Sequence, residues 1–283
     1  MKLGIIGNGF VGKASQQLKC PEIELLIYDI NPDLCIPKYT SLKDMKKCDI
    51  IFVCVPTPMN KDGSCYLDIV NNVINDLKKF IDPSKNFIVI RSTVPPGTSN
   101  KLNVYFMPEF LTEKNYINDF IMNQNWIFGL LNDNNDEKFK NKISNLFSLA
   151  FEYKKIKYNS ITFMNNSEAE LVKYCRNCFL ATKVAFCNEI EQLCSSLNIN
   201  YENVRKMFSV DPRIGDSHTK VPGHDGKRGY GGTCFPKDMN AMIYFMKKQG
   251  KESFVLKSAN TRNEAIDRIE KDWNENKGRA VIN

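Results

Sequence analysis

The first 12 residues restrict the fold of this chain more than any other segment does. An apolar run at residues 3–6 is followed directly by Gly7-Asn8-Gly9-Phe10-Val11-Gly12, and a helical pattern starts within that hexapeptide. Glycines permit a tight turn and let the backbone come close to a ligand, while free N–H groups at a helix N-terminus attract phosphates. A strand, such a turn and a helix are typical of a dinucleotide-binding unit. We predict that residues 7–12 hold the pyrophosphate of a dinucleotide.

A carboxylate stands at the end of the second predicted strand, residues 24–28. Asp29 follows that strand, and no arginine occurs in the three residues after it. An acidic residue at this place accepts hydrogen bonds from a ribose diol, whereas the 2′-phosphate of NADP would be repelled. A glycine turn by itself is a weak signal, but together with Asp29 it predicts NAD as the cofactor.

The two halves of the chain have different hydrophobic patterns. Up to about residue 158, short apolar runs alternate with helical segments, and they lie at residues 3–6, 24–28, 50–55, 86–90, 126–130 and 151–156. This alternation is typical of βαβ units. We therefore predict an α/β domain at residues 1–160, a Rossmann doubly wound parallel sheet that binds NAD. Residues 161–283 are expected to form an all-helical central and dimerisation domain.

A long helical stretch dominates that second half and predicts a homodimer. Residues 168–197 keep a helical period without Pro or Gly, and the apolar positions cover more than one face. A helix of about 30 residues spans about 45 Å. Because its own domain is small, such a helix needs a further partner surface. We expect residues 165–197 to form the core of a dimer.

Charge and cysteine content exclude several classes of function. The formal net charge of +7 is scattered among acidic residues, and a phosphate-bearing small ligand accounts for it as well as nucleic acid does. We expect the small ligand and no nucleic acid. No apolar run is as long as the about 20 residues needed to cross a bilayer. The first predicted strand begins at Lys2, so we expect no secretory or transit segment before it. We therefore expect a cytoplasmic protein with no membrane partner. The ten cysteines indicate reduced thiols, and Cys175-x-x-Cys178 lacks further ligands, so no metal site is expected.

A segment dense in Gly and Pro interrupts the helical half at residues 210–235 and ends at a cysteine. Cys234 stands at the junction between this segment and a helical pattern that resumes at Pro236. Neighbouring glycines give access to the thiol, and free N–H groups of a helix N-terminus favour the thiolate. This context is typical of a reactive cysteine. A buried cysteine in a glycine-rich bend is the alternative that residues 231–238 alone leave open.

Seven motifs follow one another along the chain. They are GNGFVG (7–12), VPTP (55–58), STVPPGT (92–98), PEFLTE (108–113), EAELVKYCRNCFLATKVAFCNEI (168–190), DPRIG (211–215) and GGTCFPKD (231–238). Together, over residues 1 to about 250, they resemble the UDP-glucose/GDP-mannose dehydrogenase family. The resemblance implies an enzyme that uses NAD to oxidise the primary alcohol of a nucleotide sugar to a carboxylate, with UDP-glucose as the expected substrate.

The resemblance assigns the covalent chemistry to Cys234. It would trap the sugar aldehyde as a thiohemiacetal and then hold it as a thioester, which explains how one site oxidises twice. Lys173 and Asn177 share one helical face and would donate to the oxyanion that develops at the sugar carbon. From periodicity alone, these two residues would be read as a solvated helix face.

The resemblance assigns proton transfer to carboxylates and a threonine. Glu109 would act as general acid and base through an ordered water, and Glu113 would lie by the nicotinamide. Thr93 and Asp238 would orient that water for attack on the thioester.

Two sets of binding residues also follow from the resemblance. The set for NAD is Gly7, Asn8, Gly9, Phe10, Val11, Gly12, Asp29, Pro56, Thr57, Pro58, Ser92, Thr93 and Glu113. The set for the nucleotide sugar is Phe110, Leu111, Lys173, Asn177, Arg213, Tyr230 and Gly231. Among these, Arg213 resembles the family arginine that reaches the substrate of the neighbouring subunit.

The sequence departs from the family pattern in several places. Family members typically carry a second Rossmann-like domain after a long central helix, and that domain grips much of the nucleotide. This chain ends at Asn283, within or just past such a helix, which we expect at residues 252–277. Four explanations are open: a partner chain supplies the missing nucleotide contacts, a tighter N-terminal site supplies them, the natural substrate is smaller, or the chain is a fragment. Met107 and Lys114 replace a usual Asn and Gly, and residues 224–228 look like an insertion.

Two other functions compete with this hypothesis. A dehydrogenase of the 6-phosphogluconate or 3-hydroxyacid type would transfer one hydride and need no cysteine, and Cys234 argues against it. A non-catalytic protein that binds NAD or a nucleotide sugar is the second, and the joint presence of Cys234, Lys173, Asn177, Glu109 and Asp238 argues against simple decay.

Overall fold

The structure, a computed structural model, describes residues 1–282 and divides the chain into two compact units. The first unit comprises residues 1–57 and 67–173, and the second comprises residues 58–66 and 174–283. The segment at residues 58–66 thus belongs with the helical half, although it lies between two strands of the sheet in the sequence. Within residues 1–282, no helix is both long and apolar enough to span a membrane.

A seven-stranded sheet forms the centre of the first unit. Its strands are β1 (Lys2–Ile6), β2 (Glu24–Tyr28), β3 (Ile50–Val53), β4 (Phe87–Ile90), β5 (Tyr105–Phe106), β6 (Trp126–Leu130) and β7 (Ile161–Asn165). They are ordered β2-β1-β3-β4-β5-β6-β7. Neighbours pair in parallel, except that β5 and β6 are antiparallel through Phe106 and Gly129. The predicted doubly wound Rossmann sheet is confirmed, with this one antiparallel pair.

Both faces of the sheet are covered by helices, which explains why its strands are apolar at nearly every position. The helices of this unit are α1 (Phe10–Ser15), α2 (Asp68–Lys78), α3 (Thr98–Lys101), α4 (Tyr116–Ile121) and α5 (Asp136–Glu152). Residues of α1 and α5 pack with Leu3, Ile5 and Phe52 on one face. On the other face α2 packs with Ile51 and Val53. Because β1, β3 and β4 are parallel, their carboxyl ends lie at the same edge of the sheet.

The strand predicted at residues 151–156 is wrong. Helix α5 runs through Phe151, and a turn with Lys154 at φ 56° follows it. The alternation of apolar and charged residues in FEYKKI resembles a strand locally, but the buried stripe of α5 continues to Ala150 and fixes the helix. The last strand of the sheet is instead β7, which pairs in parallel with β6.

Helices form the second half of the chain. They are α6 (Asn166–Ser196), α7 (Tyr201–Ser209), α8 (Phe235–Lys248) and α9 (Phe254–Arg262). Helix α6 agrees with the predicted stretch, and α8 begins where the helical pattern was predicted to resume. Short 3-10 turns lie at Gln16–Leu18, Pro32–Leu34, Leu42–Lys47 and Asp272–Glu275.

The single helix expected at residues 252–277 is wrong. Helix α9 ends at Arg262, a π-helical turn follows at Asn263–Asp267, and Lys271 has φ 47°. Asn263 accepts a hydrogen bond from Tyr230 N at 2.8 Å and donates one to Tyr230 O at 2.9 Å. These tertiary hydrogen bonds hold the chain where an uninterrupted α-helix would otherwise continue.

Candidate active site

The glycine turn between β1 and α1 is too crowded for side chains at two of its three glycines. Gly7 has φ 90°, and a Cβ there would come within 2.6 Å of Cys54 O. A Cβ on Gly12 would overlap the carbonyl oxygen of Gly7, whereas Gly9 has open space around it. The turn therefore packs tightly against the sheet and stays open at Gly9, a cradle that fits the pyrophosphate of NAD.

Asp29 is tied to this turn through the backbone. Its Oδ2 accepts a hydrogen bond from Asn8 N at 2.6 Å, and its Oδ1 accepts one from Asn31 N at 2.9 Å. A carboxylate oxygen has further lone pairs, so both oxygens keep the capacity to accept from a ribose diol. The structure brings Asp29 and the glycine turn together.

Sequence reasoning missed Arg91, which directly follows β4. It is buried, donates through Nη1 to Ser15 Oγ at 2.5 Å, and lies 5.4 Å from the ring centre of Phe52. Ser15 Oγ in turn donates to Val11 O at 2.8 Å. Arg91 thus fastens α1, and with it the glycine turn, to the sheet. A charged residue immediately after a fully apolar strand was the available signal.

The segments VPTP and STVPPGT meet at the carboxyl ends of β3 and β4. Ser92 Oγ donates to Val55 O at 2.6 Å, and Ser92, Thr93 and Thr57 are buried while Pro56 is exposed. Doubly wound sheets bind ligands at this edge. Pro58 belongs to the second compact unit.

Glu109 and Lys173 form a buried ion pair in the first unit. Glu109 Oε1 lies 2.7 Å from Lys173 Nζ, and the side chains are 6% and 4% exposed. Glu109 Oε2 accepts from Leu111 N at 2.9 Å, and the Lys173 ammonium lies 5.9 Å from the ring centre of Phe110. Burial alone would raise the pKa of Glu109, but Lys173, the Leu111 N–H and Arg91 outweigh it and lower the pKa below its usual value. The carboxylate is therefore held in its charged form.

Glu170 supports the loop that carries Thr93. Its two carboxylate oxygens accept from Gly97 N at 2.5 Å and Ser99 N at 2.8 Å. Burial raises the pKa of Glu170 despite these hydrogen bonds. Sequence reasoning did not single out this residue, because a helical glutamate by itself predicts a solvated side chain. Glu113, by contrast, is exposed.

Cys234 is the N-cap residue of α8 in the second unit. Asp238 N donates to Cys234 O at 3.0 Å, and Thr233 Oγ1 lies 3.8 Å from Cys234 Sγ. The thiol is partly exposed, and Pro236 in the first turn needs no N–H partner. The partial positive charge of a helix N-terminus attracts a thiolate at this position.

Asp238 joins α6 to α8 beside that cysteine. It is buried and accepts from Asn177 Nδ2 at 2.6 Å, and it forms an ion pair with Lys237. Burial would lower the pKa of Lys237, but Asp238 and Cys234 outweigh it and raise the pKa. The structure thus brings Cys234, Asp238 and Asn177 together. It adds Lys237, a neighbour that sequence reasoning passed over.

Two proposed substrate residues lie in different surroundings. Arg213 is exposed, with its guanidinium 2.6 Å from Asp211 Oδ2. Tyr230 is buried, and its hydroxyl donates to Asn260 Oδ1 at 3.1 Å. The ring of Tyr230 therefore supports the fold, and Gly231 next to it is partly exposed.

Comparison with known proteins decides the family. The NAD binding domain of the UDP-glucose/GDP-mannose dehydrogenase family matches residues 38–148, and the central domain of the same family matches residues 167–265. The chain belongs to this family. Its sheet-containing unit is accordingly an NAD-binding domain, and the UDP-glucose/GDP-mannose dehydrogenase central domain includes α6, α7 and α8.

Two relatives that this chain matches are longer than the chain itself. It is 30% identical over 296 positions to uncharacterized protein MJ1054 of Methanocaldococcus jannaschii, covering 91% of this chain and 32% of that protein. It is 32% identical over 230 positions to the putative UDP-glucose 6-dehydrogenase YtcA of Bacillus subtilis, covering 76% of this chain and 50% of that protein. The chain thus spans about a third to a half of these relatives.

A solved structure has the same arrangement of elements. A UDP-glucose dehydrogenase from Pyrobaculum islandicum aligns with a TM-score of 0.79 at 26% identity, over 93% of this chain and 68% of that one. The agreement extends the family assignment from sequence to fold.

Proposed function

We propose that this protein uses NAD to oxidise the primary alcohol of a nucleotide sugar, UDP-glucose in the first instance, to the carboxylate. The observation that carries the proposal is the hydrogen bond of 2.6 Å between Asn177 and Asp238, one helical turn from Cys234 at the N-terminus of α8. It supports the proposal because the paired amide and carboxylate lie one helical turn from a partly exposed thiol. When bound, NAD would supply a nicotinamide ring that accepts one hydride, so the reaction consumes two NAD molecules, one for each oxidation.

Glu109 and Lys173 serve the first oxidation. The alcohol carbon gives up a hydride and the hydroxyl gives up a proton, which leaves an aldehyde. Glu109, held as a carboxylate by Lys173, accepts that proton through an ordered water. Lys173 and Asn177, one turn apart on α6, donate hydrogen bonds to the substrate oxygen while negative charge develops on it.

Cys234 serves the second oxidation. Its thiolate forms a C–S bond to the aldehyde carbon, and the carbonyl oxygen takes a proton to give a thiohemiacetal. That species is again an alcohol, so loss of a second hydride and a proton leaves a thioester. Thr93 and Asp238 orient a water that attacks the thioester carbon. The C–S bond then breaks, the thiolate leaves, and the carboxylate is released.

A panel of UDP- and GDP-sugars with NAD tests the proposal through the absorbance of NADH. Wild-type protein should form two NADH per carboxylate. Cys234→Ala should lose turnover and still bind NAD, while Cys234→Ser should stall at the first oxidation or at an ester that hydrolyses very slowly. Lys173→Ala should lower kcat by about 10² to 10³, the usual effect of deleting one oxyanion donor. Full activity of Cys234→Ala would overturn the proposed mechanism.

The same assay separates the competing functions. A dehydrogenase of the 6-phosphogluconate or 3-hydroxyacid type forms one NADH per substrate and does not depend on Cys234. A non-catalytic binding protein retains NAD affinity and forms no NADH with any sugar in the panel.

We also propose that the protein acts as a homodimer through α6. Phe179, Phe186 and Leu193 recur at every seventh position of this helix, and their exposed fractions are 69%, 58% and 53%. Large apolar side chains in one row along a helix favour pairing with a second apolar surface. Arg213 is exposed and pairs with Asp211. In the dimer it would reach the substrate of the second subunit.

A further inference from the structure

The last described residues of the second unit pack against the segment that leads to Cys234. Residues 268–282 follow the π-helical turn, bury Trp273 and Ala280, and contain the 3-10 turn at Asp272–Glu275. We call residues 268–282 the C-terminal segment. Its first residue, Arg268, is a buried arginine that the proposed mechanism does not use.

Arg268 lies directly against Gly231, three residues before the cysteine. A Cβ built on Gly231 would come within 2.7 Å of Arg268 Nε and equally close to Asp272 Oδ1. The guanidinium therefore occupies the space that a side chain at position 231 would need. A side chain at position 231 would displace the guanidinium, although the Gly231 backbone does not have a positive φ.

Ion pairs join the C-terminal segment to residues 224–228. Arg268 Nη2 donates to Asp225 Oδ2, and Lys227 Nζ lies 3.1 Å from Glu270 Oε1 and 3.2 Å from Asp272 Oδ2. Arg268 Nε lies 3.4 Å from Asp272 Oδ1. Residues of opposite charge in the two segments pair with each other, and these ion pairs hold residues 224–228 against the C-terminal segment.

The other end of the C-terminal segment pairs with residues 58–66. Met59 N donates to Ala280 O at 2.8 Å, and Ile282 N donates to Met59 O at 3.0 Å. The segment is therefore anchored at both ends by partners distant in the sequence. An anchored segment holds Arg268 in one place, because neither end can move away independently.

We propose that Arg268 is a positioning residue that holds the Gly231-to-Cys234 loop and so fixes the thiol at the N-terminus of α8. This inference rests on the proposed function, since the position of the thiol affects turnover only if Cys234 is the nucleophile. Removing the guanidinium should release the loop and move the thiol away from the helix N-terminus. Misplacement of a reacting group by about 1 Å lowers the rate by about 100-fold.

The test compares Arg268→Gln with a matched control in a Cys175→Ser background, because Cys175 is the exposed cysteine. Alkylation of Cys234 by iodoacetamide is followed against pH in the absence of substrate. We expect the midpoint of the Arg268→Gln profile to move to higher pH and kcat to fall about 10- to 100-fold, with the KM for NAD unchanged. Arg268→Lys, which can keep one ion pair, should fall between Arg268→Gln and wild type.

Arg262→Gln is the control. Arg262 is 12% exposed, and its Nε lies 3.0 Å from Asp267 Oδ2, so its loss also removes an ion pair from this region without touching Gly231. An Arg268→Gln profile that matches Arg262→Gln overturns the proposal. So does a higher KM for the sugar with an unchanged alkylation profile, since that result would make Arg268 a substrate-binding residue.

A folding defect does not leave the proposal untested. If Arg268→Gln fails to fold by circular dichroism, Asp225→Asn removes the loop-side partner and keeps Arg268. A smaller shift in the same direction supports the proposal, and a wild-type profile overturns it. Alkylation of the free protein needs no turnover, so a wild type that oxidises no sugar contradicts the proposed function and leaves this test intact.

Discussion

Lys173 Nζ lies 2.7 Å from Glu109 Oε1, and neither side chain is more than 6% exposed. Sequence reasoning gave these residues separate roles, one as an oxyanion donor and the other as a general base. Their contact means that Lys173 helps to hold the Glu109 carboxylate in its charged form. A substrate oxygen that takes a hydrogen bond from Lys173 therefore shares that ammonium with a carboxylate already in place.

The ion pair should affect stability mainly because removal of one partner leaves the other as an unpaired buried charge. Lys173→Met leaves a buried carboxylate without its cation and should lower the free energy of unfolding by about 3–5 kcal/mol. The double variant with Glu109→Gln should recover most of that loss. Urea denaturation measures both.

An exposed pair of the same length is the control for that experiment. Lys79 Nζ also lies 2.7 Å from its partner, Asp76 Oδ1, but these side chains are largely in solvent. Lys79→Met should change stability by less than about 1 kcal/mol. If Lys173→Met and the double variant lost the same free energy of unfolding, the loss would not come from the unpaired charge on Glu109.

The lowered pKa of Glu109 gives a pH dependence with a definite sign. Its pKa in the folded protein lies below the ordinary value of 4.5, so the folded state binds its proton less readily than the unfolded state. The resulting stabilisation is present above pH 4.5 and is lost as the pH falls through the folded pKa. Wild type should therefore lose more stability than Glu109→Gln between pH 6 and pH 3.5, as measured by urea midpoints. Parallel curves would contradict this assignment.

Asp29 should decide the choice between the two nicotinamide cofactors. NAD should bind at least about tenfold more tightly than NADP, a difference of about 1.4 kcal/mol, because a 2′-phosphate would meet the Asp29 carboxylate. Asp29→Asn should narrow the ratio, and Asp33→Asn, an exposed carboxylate in the next turn, should leave it unchanged. Calorimetric titration gives both affinities. Equal binding of NAD and NADP by wild type would place Asp29 away from the ribose.

The apolar row on α6 should control the oligomeric state. Phe186→Glu puts a charge into the middle of that row and should convert a dimer to a monomer in light scattering at micromolar protein. Phe254→Glu changes a phenylalanine that is still more exposed, at 75%, and lies on α9; it should leave the mass unchanged. A monomeric wild type, or a dimer that survives Phe186→Glu, would exclude α6 as the interface.

Prediction from sequence was most successful where one short pattern dominates. The apolar strand and three glycines at residues 3–12 predicted a turn in which Gly7 and Gly12 have no room for a Cβ. The unbroken helical period at residues 168–197 predicted α6. Prediction from sequence failed at residues 151–156. The strand-like alternation there begins inside α5, a helix fixed by Ala150 and the buried residues before it.

The sequence by itself determined the βαβ order, the glycine turn that approaches a dinucleotide, and the cysteine at the start of a helix, because each depends on neighbours within a few positions. Tertiary structure alone decided that Lys173 pairs with Glu109, that Asp238 accepts from Asn177, and that Arg268 lies against Gly231. These partners are far apart in the chain. Which of these residues come into contact depends on how whole helices and strands pack. A buried charge is stable only when that packing brings a partner beside it.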